Sequence, residues 1–344
     1  MSQSIEPPTT LRELADHLGL AVSTVSRTLS GQGDRYRIGK STQARIEAAA
    51  TEFGVRANPA ARGLRLKRTL TLGLLLPDIT NPFFAAIARA VERGAAEKGY
   101  LTILCDAGDD AETERQALRV LRERRVDALI ACPAGDDPEP FAELAKSGTP
   151  LVFVDRFFEK LSAPSVTSDD FEAARNVGRT LAEAGHRQVG CLQGDPRTSS
   201  SRQRGAGFRE GLREGGCEAA PVIAGHAFSI SDGYAAAQSL LKNDPRPTAL
   251  FCYGNVNALG ALQALGEAGL RIPEDISLVT FDDQPWATVL ATPLSAVVQD
   301  TRRLADEALK LVFSELETPG SQSGERVHIP TEYTDRGSIS RLTP

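Results

Sequence analysis

The chain has 344 residues, 41% hydrophobic and 24% charged, with a formal net charge of −6, which suits two or three globular domains of about 150 residues each. With 30 Gly and 20 Pro it is neither collagen-like nor of low complexity, and no apolar run approaches the ~20 residues of a membrane span. Residues 1–69 carry 11 Lys or Arg against 6 Asp or Glu, and the remainder 28 against 39, so a small basic head precedes a large acidic body.

The opening MSQSIEPPTT has neither the basic region nor the apolar stretch of a secretory signal, which predicts a cytoplasmic protein. Thr10 and Glu13 are spaced as a capping box and predict a helix start. Leu11, Leu14, Ala15 and Leu18 then recur at helical spacing up to Gly19, and Val22, Val25 and Leu29 give the apolar side of a second short helix. A third helix is predicted from about Ser41 to Phe53, with Ile46, Ala49, Ala50 and Phe53 inward and Gly54 as its stop. Two short helices across a glycine turn form a helix-turn-helix pattern, and three small helices can close a core. The basic stretch from Val55 to Thr69 reads as a linker able to become helical.

From Leu70 the pattern becomes apolar strand, loop and amphipathic helix, repeated. Strands are predicted at Leu70–Leu76, Leu101–Cys105, Ala128–Ala131, Leu151–Val154, Gln188–Leu192, Ala249–Cys252 and Ser277–Phe281. Continuous apolar strands alternating with helices imply parallel sheets covered on both faces. About 275 residues exceed one comfortable core, so two doubly wound lobes are expected. Ligands of such sheets lie beyond the carboxyl ends of strands, which singles out the loops after Leu76, Val154, Leu192, Cys252 and Phe281.

Cys105, Cys132, Cys191, Cys217 and Cys252 are widely spaced with no C-x-x-C pair, so neither a disulfide framework nor a zinc site is indicated. No cofactor or metal is expected. There is no G-x-S-x-G elbow, P-loop or dinucleotide G-x-G-x-x-G after the first strand, and the four histidines fall in unrelated contexts, so an enzyme is not expected. His186 reads as a helix-end group. In the second helix Val22, Ser23, Ser26 and Arg27 turn outward, a set that fits either a solvated face or base edges and phosphates in a major groove. Residues 27–68 hold ten Lys or Arg, Arg35, Arg37, Lys40, Arg45 and Arg56 among them, against three acids, which favours DNA.

The strings TLRELADHLGLAVSTVSRTLSG, NPAARGLRLKRT, LGLLLPDITNPFFAAIARAVE, VTSDDFEAARNVGRTLAEAGHRQVGCL, RGAGFREGL, NALGALQALGEAGLRIPEDISLVTFDD and TPLSAVVQD together resemble the lactose-repressor (LacI/GalR) family of bacterial transcription regulators. The resemblance implies an all-α helix-turn-helix head plus an α/β periplasmic-binding-protein-like core of two doubly wound parallel-sheet lobes. Its expected parts are a head at 1–54, a hinge at 55–69, a first lobe at 70–163 with 295–320, and a second lobe at 164–294 with 321–344. It implies a homodimeric repressor on a pseudo-palindromic operator, with no membrane partner and a sugar or sugar derivative as allosteric effector between the lobes. Val22, Ser23 and Arg27 take base-reading positions, Thr24 and Ser26 lie beside the DNA backbone, and Leu64 takes the place of a leucine wedge that opens a minor-groove step. A transport binding protein without DNA control is disfavoured by the basic head and the missing signal.

In the core the resemblance assigns the effector to Asn81, Phe83, Phe84, Asp155, Arg156, Arg202, Arg204, Phe228, Asn255 and Asp282. Polar clamps and flat apolar faces are how a polyhydroxylated ring is held. Taken singly, Phe83 or Phe84 fits the core equally well, Asp155 can cap a turn, and Asp283 reads as a surface group. Four departures from the family pattern stand out. Ala21 replaces a common capping Ser, Gly31–Gly39 is long, Val55, Ala57 and Pro59 change the hinge entrance, and Gly254-Asn255 stands where relatives often have Asn-Asp. The last removes one amide, for which Tyr253, Asn255 or Trp286 are candidate replacements. It leaves three ligand classes open: a sugar with another hydroxyl pattern, a sugar acid drawn to the arginines, or a nucleobase-like ring.

Overall fold

The computed structural model describes residues 7–55, 68–321 and 324–342, and the chain divides into two units, Met1–Thr69 and Leu70–Pro344. In the first, α1 (Leu11–Leu18), α2 (Val22–Leu29) and α3 (Lys40–Phe53) bury Leu14, Ala15, Val25, Ile46, Ala49 and Ala50 against one another. The capping box forms: the Glu13 amide donates to the Thr10 hydroxyl at 3.2 Å and the Thr10 amide to the Glu13 carboxylate at 3.1 Å. α2 starts at Ala21 without any side-chain cap. Val55, expected in the linker, is a buried member of the head core, its amide bonded to the Ala50 carbonyl at 2.9 Å, because the αL turn at Gly54 folds the chain back onto α3. The rest of the expected hinge through Lys67, Leu64 included, lies outside the described residues.

The second unit holds two six-stranded sheets. The first contains β1 (Thr71–Leu76), β2 (Leu101–Asp106), β3 (Ala128–Ala131), β4 (Leu151–Val154), β5 (Ser165–Ser168) and β11 (Arg326–Ile329), ordered β11-β5-β4-β3-β1-β2. The second contains β6 (Val189–Leu192), β7 (Val222–Ala224), β8 (Ala249–Cys252), β9 (Ser277–Phe281), β10 (Ser295–Val298) and β12 (Glu332–Thr334), ordered β12-β10-β9-β8-β6-β7. The pairings are parallel apart from β12 on β10. Both sheets thus repeat one doubly wound order, with its switch point beside the first strand of each lobe.

Helices α4 (Pro82–Glu97), α5 (Ala111–Glu123), α6 (Glu139–Lys146), α7 (Asp170–Glu183), α8 (Ser199–Glu214), α9 (Ile230–Leu241), α10 (Asn255–Glu267) and α11 (Thr301–Glu317) cover the sheets. Buried apolar clusters lie on both faces of each sheet, which is why the inner strands read as unbroken apolar runs.

The lobe boundaries differ from the expected ones. Residues 165–168 and 326–329 complete the first sheet, while 295–298 belong to the second, and only α11 of the expected 295–320 piece packs in the first lobe. The first sheet takes its outer strand β11 from a segment that then crosses to the second lobe, and the second takes its outer strand β12 from the segment that arrives by that crossing. The crossings follow β5, β10 and β11. Beside one of them α7 and α8 pack backbone to backbone: a Cβ on Gly207 or Gly211 would lie 2.0 or 1.9 Å from the carbonyl oxygens of Phe171 and Arg175. This glycine seam brings Arg204 of α8 against Asp170 at the start of α7.

Candidate functional site

In the head, α2 leaves Val22 and Ser23 exposed and Thr24, Ser26 and Arg27 half-buried, while Val25 and Thr28 face the core. Thr28 rather than Leu29 is the second fully covered position, because its hydroxyl donates to the Thr24 carbonyl at 3.0 Å. Residues 22, 23, 26 and 27 therefore share one accessible face. Arg45, expected among the phosphate-seeking cations, instead donates to the Leu18 carbonyl and closes the end of α1.

In the core, Asp155 follows β4 and Asp282 follows β9, which occupy equivalent places in the two sheets. Both are left-handed, at φ +64° and +68°, a conformation Asp tolerates better than most residues. The sharp turn aims each carboxylate into the gap between the lobes. Asp155, Arg156, Asp170, Arg204, Asn255 and Asp282 are all buried there. Arg204 donates from Nε to Asp170 at 2.7 Å and from its terminal nitrogen to the Tyr253 carbonyl, with its guanidinium 3.7 Å over the Phe281 ring. Arg156 donates to Asp109 and to the Pro133 carbonyl, both at 3.2 Å. Gln299 donates to Asp282, and the Asn255 backbone amide does likewise.

Burial raises the pKa of Asp155, of Asp170 and of Asp282, the last to about 6, while the Arg204 charge pulls all three down. Three carboxylates therefore face two guanidinium groups that already have partners. The buried side-chain atoms left without a hydrogen bond include the Asn255 and Gln299 carbonyl oxygens and the Arg156 Nε. Asp155 makes only long contacts, to the Cys132 thiol at 3.7 Å and the Arg156 Nε at 3.8 Å. Spare acceptors outnumber spare donors, so the cleft calls for a ligand that donates.

Phe228 explains the Gly254 departure. A Cβ on Gly254 would lie 3.0 Å from the Phe228 ring and one on Gly194 2.1 Å from it, so the ring occupies a slot between two glycines. The Arg156 guanidinium lies 5.2 Å from the Phe228 ring centre and 5.6 Å from that of Phe84, one aromatic from each lobe. The lobes also touch through Asn255 Nδ2 to Asn81 Oδ1 at 3.1 Å and the Phe157 amide to Ser199 Oγ at 3.1 Å. Nearer solvent, Arg197 meets Asp136 at 3.4 Å and Arg202 meets Glu159 at 3.5 Å.

Not every expected residue joins the cleft. Arg202 and Arg204 lie two apart on one helix, about 200° around it, so Arg202 points to the rim, lining a cavity of about 440 Å³ with Phe158 and Glu159. Phe83 sits in the first-lobe core and edges onto Phe84 at 5.0 Å. Tyr253 is fully buried against Phe251 and does not replace the missing amide; Trp286 lines a cavity of about 800 Å³ together with Phe228 and Asn255. His186 is a buried tie between Thr248 and the Ser340 carbonyl, at 2.8 and 3.1 Å, its pKa lowered by burial. Asp283 pairs with Arg336 at 2.6 Å. Asp109, Asp170 and Gln299 escaped the sequence reading. The Asp169-Asp170 pair opening a helix and the Gln299-Asp300 pair closing an apolar strand mark two lobe crossings, and that was the available signal.

A helix-turn-helix unit preceding two such lobes around a buried polar cleft defines a DNA-binding regulator with a small-molecule receptor core. Residues 69–337 match the family described as periplasmic binding proteins and sugar binding domain of LacI family. The chain belongs to the LacI family of transcriptional regulators, a family of DNA-binding proteins rather than enzymes. It is 29% identical over 338 residues to the transcriptional repressor CytR of Escherichia coli (strain K12), covering 98% of each chain. It is 30% identical over 324 residues to the ribose operon repressor of Haemophilus influenzae, covering 94% of this chain and 96% of that one. The structure resembles that of the Lac repressor dimer bound to operator and the anti-inducer ONPF, with a TM-score of 0.84, 25% identity, and 97% of this chain and 99% of that one covered.

Proposed function

We propose that this chain is a homodimeric repressor that reads a pseudo-palindromic operator with α2 and changes its operator affinity when a neutral polyhydroxylated ligand, a sugar or close derivative, occupies the cleft. Within that reading Val22, Ser23 and Arg27 meet base edges, Thr24 and Ser26 lie along the backbone, and Leu64 is the minor-groove wedge. The head spans 1–55, the hinge 56–69, and the lobes follow the two sheets. The relatives named as repressors support the repressor role, and the family description supports a sugar. The protein would act in the cytoplasm, where its DNA is; among the described residues no helix is long and apolar enough to cross a membrane.

One observation carries the ligand class: the two cleft arginines are already committed, to Asp170 and to Asp109, and the unspent groups are mainly acceptors. Sugar hydroxyls supply the missing donors, whereas a sugar acid would add a charge beside Asp155 and Asp282. Homodimerisation is supported by the open sheet edges. β2 and β7 end equivalent edges of the two sheets and expose Leu101, Leu104, Val222 and Ile223, a pattern that sheets leave uncovered only at cost.

A thermal-shift screen of the full chain against neutral pentoses and hexoses, uronic acids, sugar phosphates and nucleosides tests the ligand class. Stabilisation by a neutral sugar is expected. Stabilisation by uronic acids alone contradicts the charge argument. Arg27→Ala should weaken binding to a selected duplex more than to a random one, and Leu64→Ala should relax preference at the central step; equal losses on both duplexes would remove those roles.

A further inference from the structure

The long segment between α2 and α3 is a built loop. Its backbone closes on itself through Gln32 N to Arg27 O at 2.9 Å, Arg37 N to Asp34 O at 3.0 Å and Ile38 N to Gly33 O at 2.9 Å. Asp34 accepts from Lys40 at 2.8 Å and from Gln43 at 2.9 Å, and Gln43 also donates to the Ile38 carbonyl at 2.8 Å. Gly33 lets the Gln43 amide close in, since a Cβ there would lie 2.4 Å from it. Arg37 is left-handed at φ +55°, which turns the loop tip over.

The product of this bracing is the placement of three side chains. Tyr36, 42% exposed, lies against Arg27, whose guanidinium carbon is 4.0 Å from the ring centre. Stacking occupies the face of a guanidinium and leaves its in-plane N–H donors free, the donors that pair with guanine O6 and N7. Arg35 and Arg37 flank the tyrosine, are exposed, and their side chains have no hydrogen bond or ion pair among the described residues.

We propose that the 31–39 loop is a second DNA-contacting element: Tyr36 holds the Arg27 guanidinium in the plane that reads a base, and Arg35 and Arg37 take the phosphates beside that base. Tyr36 is thus a positioning residue, and this rests on the assignment of α2 as the reading helix. Fixing the guanidinium before binding lowers the ordering cost of the complex. Two further phosphate contacts per head steepen its salt dependence.

The test uses the full chain, the duplex it selects from a randomised pool and a scrambled duplex of equal length. Tyr36→Leu should lower affinity for the selected duplex about 2- to 5-fold, the range of an exposed cation–π contact, and leave the scrambled duplex and the salt slope unchanged. Tyr36→Phe, which keeps the ring, should behave as wild type. Replacing Arg35 and Arg37 by Gln should reduce the slope of log affinity against log salt by about 1.8 per head and preserve the ratio between the duplexes. The proposal is overturned if Tyr36→Leu discriminates as wild type, if Tyr36→Phe fails to rescue, or if the double Gln variant keeps the full slope. Arg27→Ala separates the two levels. If it too discriminates as wild type, the reading role of α2 fails; if it alone loses discrimination, only the loop assignment fails.

Discussion

Asp282 shows how a single residue links the cleft to solution conditions. Its folded pKa is raised from 3.8 to about 6, first by burial, so the folded chain holds that proton more tightly than the unfolded one. The resulting stabilisation is complete below pH about 4 and is lost as pH rises through 6. Two pKa units correspond to a contribution on the order of 2–3 kcal/mol at full extent. Asp282→Asn, with no proton to lose, should therefore melt closer to wild type at pH 5 and progressively above it towards pH 8. A melting difference independent of pH across that range would contradict the burial of an ionisable group here. Gly254 is the second informative residue. Gly254→Asn puts a side chain where the Phe228 ring lies and should expel the ring from its slot. Trp286, the chain's one tryptophan, lines the same cavity, so its emission should shift; an unchanged spectrum would mean the slot yields without moving Phe228.

At the scale of elements, α2 has a defect that can be repaired. With Ala at its N-cap, the first amides lack a side-chain acceptor, and Ala21→Ser should stabilise the helix by about 0.5–2 kcal/mol. Slower hydrogen exchange over residues 23–25 is the expected readout, and unchanged exchange would mean the amides already have solvent partners as good. The α7–α8 seam makes the opposite prediction. Gly211→Ala forces a methyl against the Arg175 carbonyl, so the helices must separate and Arg204 must leave Asp170; a clear fall in melting temperature and loss of ligand-induced stabilisation are expected. Unaltered melting would show that the seam is loose.

Elements were legible where one force dominated. The inner strands β1, β3, β4, β8 and β9 are buried on both faces and announce themselves as apolar runs. β5 is buried too, yet reads Ser-Val-Thr-Ser, with the Thr167 hydroxyl 3.1 Å from His328 Nδ1 on the neighbouring β11. β7 and β12 are three-residue edge strands with exposed or half-buried side chains, too short for any periodicity. The cleft carboxylates after β4 and β9 could be found by looking beyond strand ends, whereas Arg202 and Arg204 could be told apart only by helical rotation.

For the whole molecule, which strand joins which sheet is a property of three chain crossings, and the expected bounds placed 165–168, 295–298 and 326–329 with the other lobe's sheet. The crossings matter because Asp170 and Gln299 sit beside them and touch Arg204 and Asp282. A ligand in the cleft would therefore meet the segments that connect the lobes, in addition to the contacts Asn81–Asn255 and Phe157–Ser199 that span the gap. The net charge of −6 is the sum of a basic head and an acidic body, so only the former is suited to phosphates. In the proposed function, head and cleft share one equilibrium. Coupling of this kind is reciprocal, so the direct measurement is calorimetric titration of the full chain with the neutral sugar that stabilises it, with and without saturating selected duplex. Duplex is expected to change sugar affinity by the same factor by which sugar changes duplex affinity; identical sugar affinities in the two titrations would mean that head and cleft are uncoupled.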